Sequence, residues 1–203
     1  MQAFSTNRLV AVVALIAASF SAPAAAQYSN VEEIGKTPVE AKFSSGGRIR
    51  MSLCPGDVHI HGSDDQLLRV SYDAPGSVSE VRVRMLVDSD HATLRVSGCP
   101  HDNFHLTVEL PKSTSLYVRM FAGQIDVQQI TGDKDVELTF GQMNVDVGQP
   151  VEYAHVDASV SSGAIDSDPF DVHKGGLFRS FETSGPGKYR MHVHIGAGQI
   201  ELR

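Results

Sequence analysis

The chain has 203 residues, with 24 acidic against 17 basic side chains, a formal charge of −7 and no tryptophan. An acidic protein whose Lys and Arg are dispersed along the sequence is a poor partner for nucleic acid or anionic lipid through bulk electrostatics, so both are excluded as expected ligands. The length suits one domain or one repeat array and is ample for a buried core.

Residues 1–26 read as a cleavable secretory signal. Arg8 precedes an apolar run over 9–20, and small residues follow up to Ala24 and Ala26, which place the cut between Ala26 and Gln27. About a dozen apolar residues span only ~18 Å as a helix, short of the ~30 Å hydrocarbon core, so no stable membrane insertion is expected after cleavage. No Cys lies near the cut to carry a lipid. The expected location is exported, in the periplasm or at the cell surface. Residues 27–45 are polar with few core candidates and are expected to form an N-terminal lead or cap, and 46–203 a single all-β repeat domain.

Ile49, Met51 and Leu53 alternate with polar residues and run into Cys54, whose only possible partner in the chain is Cys99. In an oxidising compartment such a pair favours a disulfide. Two free thiols or a metal site are the alternatives, the latter weakened because neither Cys belongs to a C-x-x-C pair. The section near 67–110 is less regular. Segments 78–87, 92–96 and 104–110 read as strands, and the short links between them imply antiparallel neighbours.

One theme then recurs: Gly, a spacer, an aliphatic, a polar residue, an aliphatic. Its clearest copies are Gly123-Gln124-Ile125-Asp126-Val127, Gly141-Gln142-Met143-Asn144-Val145, Gly163-Ala164-Ile165-Asp166-Ser167 and Gly198-Gln199-Ile200-Glu201-Leu202, with Gly56-Asp57-Val58-His59-Ile60 as an earlier fifth. The parity of the apolar residues flips at each Gly. Leu116, Val118 and Met120 precede Gly123, whereas Ile125 and Val127 follow it; Val136, Leu138 and Phe140 likewise give way to Met143, Val145 and Val147. A straight strand would turn its apolar face outward at such a slip, so the chain must bend there, and Gly supplies the backbone freedom to do so. The resulting expectation is an all-β fold: a short β-solenoid or β-roll of stacked coils sharing one interior, with an antiparallel β section near 67–110. A β-sandwich is the alternative.

Gly46-Gly47-Arg48-Ile49 leading to Pro55-Gly56-Asp57-Val58, then Val108-Glu109-Leu110-Pro111 leading to Leu116-Tyr117-Val118, together with the Gly-x-Ile-x-Val units, resemble a bacterial exported domain of unknown function catalogued as "putative adhesin". The resemblance runs from about Gly46 to Leu202. It implies a right-handed β-solenoid-like domain without established activity. Gly163-Ala164-Ile165-Asp166-Ser167 departs from it by lacking the second aliphatic, and the interval before Gly198 is longer than the others.

Four groups of residues could carry chemistry. His59 with His61, and His192 with His194, lie two apart on strands, a spacing that puts both imidazoles of a pair on one face where Zn or Cu could bind. The neighbouring aliphatics claim the interior, which leaves these His on a solvated face as the plainer reading. Asp126, Asn144, Asp166 and Glu201 occupy the polar position of the theme and should form an outward ladder at ~4.8 Å spacing, able to hold Ca²⁺ or a sugar or simply to keep the sheet soluble. An acid pair from Asp126 and Asp166, with Arg119 or Lys134, would make the chain a carbohydrate-active enzyme. Tyr117, Tyr153 and Phe170 are the rings available for sugar stacking. With no G-x-S-x-G, H-E-x-x-H, P-loop or dinucleotide fingerprint in the sequence, the leading expectation is a non-enzymatic envelope protein that needs no cofactor and offers a surface to proteins or glycans.

Overall fold

The computed structural model describes residues 28–203, so residues 1–26, read above as a secretory signal, lie outside the described residues. Thirteen strands follow in order: β1 (Tyr28–Ile34), β2 (Val39–Lys42), β3 (Arg48–Leu53), β4 (Gly56–Ser63), β5 (Leu67–Asp73), β6 (Arg82–Asp88), β7 (His91–Ser97), β8 (His105–Pro111), β9 (Ser115–Gln128), β10 (Lys134–Val145), β11 (Tyr153–Ser167), β12 (Val172–Ser184) and β13 (Tyr189–Leu202). All belong to one mixed sheet.

The glycines at which parity flips explain the shape of that sheet. In β9, β10, β11 and β13 the strand continues through its Gly, yet apolar residues on both sides are buried: Val118 and Ile125 in β9, Leu138 and Met143 in β10, Ala158 and Ile165 in β11, Val193 and Ile200 in β13. All of them join one core cluster. The glycines align across the strands in the order Gly56, Gly123, Gly141, Gly198, Gly163, Gly176. At Gly141 the backbone has φ +134°, and a Cβ there would lie 1.8 Å from the carbonyl oxygen of Gly123, so no other residue fits. The ladder is thus a crease along which the sheet folds, with an upstream limb before it and a downstream limb after it.

Towards the N-terminal half the two limbs come apart into separate strands. Upstream, β9 is followed outward by β3, β7, β6 and β1; downstream it is followed by β4, β8, β5 and β2. Pairing within 67–110 is antiparallel for β6 with β7 and for β5 with β8, but β7 and β8 are not the neighbours that their short link implied: the chain crosses between the limbs there, and β7 pairs β3 in parallel upstream while β8 pairs β4 in parallel downstream. Residues 28–43, expected as a lead or cap, are instead part of the sheet and core: β1 pairs β6 and β2 pairs β5, and Val39, Ala41 and Phe43 are buried.

Stacking differs from chain order in one respect. After β11 the chain turns through Asp168–Phe170 into β12, which runs antiparallel to β11, and β13 then inserts in parallel between β10 and β11. The long interval before Gly198 is therefore the length of an additional strand, whose Gly176 joins the crease from the opposite direction.

Cys54 and Cys99 are joined by a disulfide across a separation of 45 residues, tying the turn between β3 and β4 to the end of β7.

Candidate functional site

The crease leaves a solvent-open groove of about 820 Å³ on the surface of the folded sheet. Its floor is main chain, because Gly56, Gly123, Gly141, Gly198 and Gly163 carry no side chains. Beside the floor runs a second aligned row, Asp57, Gln124, Gln142, Gln199 and Ala164. Three carboxamides thus stand on three adjacent strands, one per ~4.8 Å of groove. Gln142 donates to Asn144 (3.2 Å) and Gln199 to Asp166 (3.0 Å), which fixes both amides from the downstream side. One end of the groove is closed by His101, Asn103, Phe104 and His105. There Asp57 lies between His105 Nδ1 (3.2 Å) and His59 Nε2 (3.4 Å). The row on the upstream side of the floor includes Phe140 and Leu177. Phe140 packs edge-on against Phe121 at 5.4 Å, and the two rings are 49% and 61% exposed.

The polar positions of the theme do fall in one row on the downstream limb, in the order Asp126, Asn144, Glu201, Asp166, because β13 sits between β10 and β11. Asn144 is buried within it. Arg203 clamps Glu201 through two hydrogen bonds (2.8 and 3.0 Å) and holds its carboxyl below the usual range. Asp126 and Asp166 stand three strands apart, about 14 Å at sheet spacing. Carboxylate pairs that act on one glycosidic bond sit roughly 5–9.5 Å apart. Arg119 and Lys134, the basic residues considered with them, are elsewhere: Arg119 lies on the outer face of the upstream limb between Asp135 (2.8 Å) and Glu137 (2.9 Å), and Lys134 is sealed in the core against the hydroxyl of Tyr153. The residues of the enzymatic reading therefore do not converge.

The histidines also separate. His59 and His61 lie on the downstream limb in β4, His192 and His194 on the upstream limb in β13, with β9 and β10 between the two strands. His194 Nδ1 meets Ser159 Oγ at 2.9 Å, and His192 meets carboxylates instead. Of the rings named for sugar stacking, Tyr117 is covered by Arg119 (3.7 Å) and Arg50 (4.5 Å), Tyr153 is buried, and Phe170 packs on Phe181 at 5.4 Å. Phe121 and Phe140 form an exposed aromatic pair instead, Phe140 in the row next to the glycines and Phe121 lining a second cavity on the upstream limb. Parity places Phe140 with the inward residues before Gly141, but the bend begins one residue earlier and leaves the ring half exposed; the carboxamides read as spacers although Gly-Gln recurs in three copies of the theme.

No family model matches the chain, and no curated protein is significantly similar to it. Solved structures are similar at low identity. A "putative cell adhesion protein" from Clostridium sporogenes shares 15% identity at a TM-score of 0.47, over 82% of this chain and 100% of its own. A "putative adhesin" from Bacteroides fragilis shares 12% at 0.34, over 86% and 97%. Another from Parabacteroides distasonis shares 10% at 0.22, over 88% and 98%. These names agree with the resemblance seen in the sequence. Likenesses this loose assign no function to the chain.

Proposed function

We propose that this chain is an exported, non-enzymatic binding module of the cell envelope, an adhesin-like short β-solenoid that holds an extended glycan in the groove along its crease. The observation that carries the reading is the row Gln124, Gln142, Gln199 beside a main-chain floor. Each carboxamide offers both donors and an acceptor, the complement of sugar hydroxyls. A polymer lying across the strands meets one amide per ~4.8 Å, close to the length of one pyranose ring. The bare glycine floor lets rings approach the backbone, and Phe140, one residue upstream of Gly141, offers an exposed apolar ring next to it. A neutral glycan suits a groove whose central positions bear no charge on a protein that is acidic as a whole.

A solenoid reading is supported by the parallel, in-register stack β9, β10, β13, β11 with a shared core. Export is supported by the signal-like N-terminus and by the disulfide, which belongs to oxidising compartments. Non-enzymatic action is supported by where the perturbed groups are. Lys134 and Tyr153, whose pKa values burial shifts strongly, are bonded to each other inside the core and not in the groove.

The test is binding of the purified exported chain to a panel of neutral envelope polysaccharides, with chain length of each polymer followed in the same samples. Saturable binding that disappears in the Gln124→Ala, Gln142→Ala, Gln199→Ala triple variant, without polymer shortening, is expected. Binding that survives in the triple variant, an absence of binding to every polymer, or shortening of the polymer overturns the proposal.

A further inference from the structure

We propose that Asp135, Glu137 and His192 bind a divalent transition-metal ion of the zinc type on the outer face of the upstream limb, a site independent of the glycan groove. Asp135 and His192 are direct partners on adjacent strands β10 and β13, and Glu137 is two residues along β10 on the same face. Each contributes a ligand atom, and the three atoms lie within 4.8 Å of one another. One imidazole nitrogen with two carboxylate oxygens is a donor set that zinc accepts with bonds of ~2.0–2.2 Å, so modest side-chain rotation brings them onto one ion.

What separates this group from an ordinary patch of surface acids is how each donor is held from behind. Asp157 on β11 takes Nδ1 of His192 at 3.1 Å, which fixes the ring and leaves Nε2 turned to Oε1 of Glu137 at 4.0 Å. That separation is too long for a hydrogen bond. Arg119 on β9 holds the two carboxylates from the other side, through Oδ1 of Asp135 and Oε2 of Glu137. Those contacts engage one oxygen of each carboxylate and leave Oδ2 of Asp135 and Oε1 of Glu137 for an ion. Arg119 is itself fixed over the Tyr117 ring. Carboxylate-bound imidazole and hydrogen-bonded ligand carboxylates are the outer-shell partners that metal sites use to orient their ligands.

Charge and access agree with this assignment. Three carboxylates, from Asp135, Glu137 and Asp157, face one guanidinium, which leaves a net negative locus for a dication. The ligand side chains are only partly covered, and Arg119 and Glu137 also line a cavity of about 420 Å³ with Ser52, Thr139 and His194. Three protein ligands leave a coordination position open towards that cavity for water or an oxygen of a bound molecule.

Isothermal titration of the purified exported chain with Zn²⁺ tests the proposal, with circular dichroism of each variant confirming that it folds. One saturable site per chain is expected in the wild type. His192→Ala and Glu137→Gln should abolish it, Asp157→Asn should weaken it about 10- to 100-fold, and the His59→Ala, His61→Ala double variant should leave it unchanged. An absence of saturable binding, or folded His192→Ala and Glu137→Gln variants that titrate like wild type, overturns the assignment. Glycan binding that fails while the zinc titration succeeds would remove the groove reading and leave this one standing.

Discussion

Lys134 donates from within the core to the hydroxyl of Tyr153, which in turn donates to the main-chain carbonyl of Val147 at 3.1 Å. Lys134 opens β10 at the parity of Val136 and Leu138, so the strand carries its ammonium inward. Burial pushes its pKa down to about 8, against the pull of Asp146, Glu152 and Asp133 in the other direction. Burial pushes the Tyr153 hydroxyl up.

The sign of the resulting pH dependence follows from linkage. Above pH 8 the folded chain has released the Lys134 proton, while the unfolded chain keeps it up to the ordinary lysine value of 10.5, so stability rises with pH in that window. Tyr153 acts oppositely above about pH 10, where the unfolded chain begins to lose a proton that the folded chain retains. Urea unfolding should therefore show a gain of about 2 kcal/mol from pH 8 to 10 in the wild type. Lys134→Met should flatten that rise and be as stable as wild type or more so at pH 7, since Tyr153 keeps its bond to Val147. A variant with the same pH profile as wild type would show that Lys134 is not the titrating group.

The crease makes a sharper prediction about glycine. Gly141→Ala places a Cβ 1.8 Å from the Gly123 carbonyl at φ +134°, whereas Gly148, at φ +72°, has nothing within 4 Å of its Cβ position. Gly148→Ala should cost only about 1–2 kcal/mol, the ordinary price of a left-handed backbone. Gly141→Ala should cost more than about 4 kcal/mol or prevent folding, because main chain must move on both strands. Equal melting temperatures for the two variants would mean that the crease tolerates a side chain.

That crease is legible in the sequence, and the reason is physical. A strand buries alternate residues, so a parity slip between Leu138 and Met143 with both buried has no solution except a bend between them. Burial of Lys134 was equally readable from its parity with Val136 and Leu138. Strand order was not. Nothing local tells β13 to insert between β10 and β11, yet that insertion brings His192 beside Asp135 and places Glu201 before Asp166 in the polar row. The carboxamide row was present in the text as repeated Gly-Gln, but only the in-register pairing of neighbouring strands turns three separate spacers into one surface.

The disulfide should act as a staple at the point where the limbs separate. Cys54 lies in the turn between β3 and β4, where no continuous strand crosses the crease, and the bond to Cys99 closes a 45-residue separation. Loop-closure entropy for a cross-link of that span stabilises by roughly 4 kcal/mol. Guanidinium unfolding of the Cys54→Ala, Cys99→Ala double variant should show a loss of about that size. A loss below about 1 kcal/mol would mean that the reduced unfolded chain is already confined near this turn.

β12 ends the sheet with thirteen residues, along which Leu177 and Phe178 are 64% and 82% exposed. A long edge with exposed apolar residues is a template for pairing with another chain. Here Lys174 folds back onto the carbonyl of Ser180 at 2.8 Å, and Arg179 onto the carbonyl of Gly175 at 3.0 Å. Both cations sit on the edge strand itself and take up its main-chain acceptors, so an incoming strand has to displace them and approach two positive charges. Removing them should release the edge. The Lys174→Ala, Arg179→Ala double variant is expected to self-associate in sedimentation velocity at concentrations where the wild type does not. Adding Phe178→Ser to that variant should reverse the effect, since the apolar contact that rewards pairing is then gone. A double variant that sediments like wild type would show that the bend at Gly176, and not these two side chains, keeps the edge unpaired.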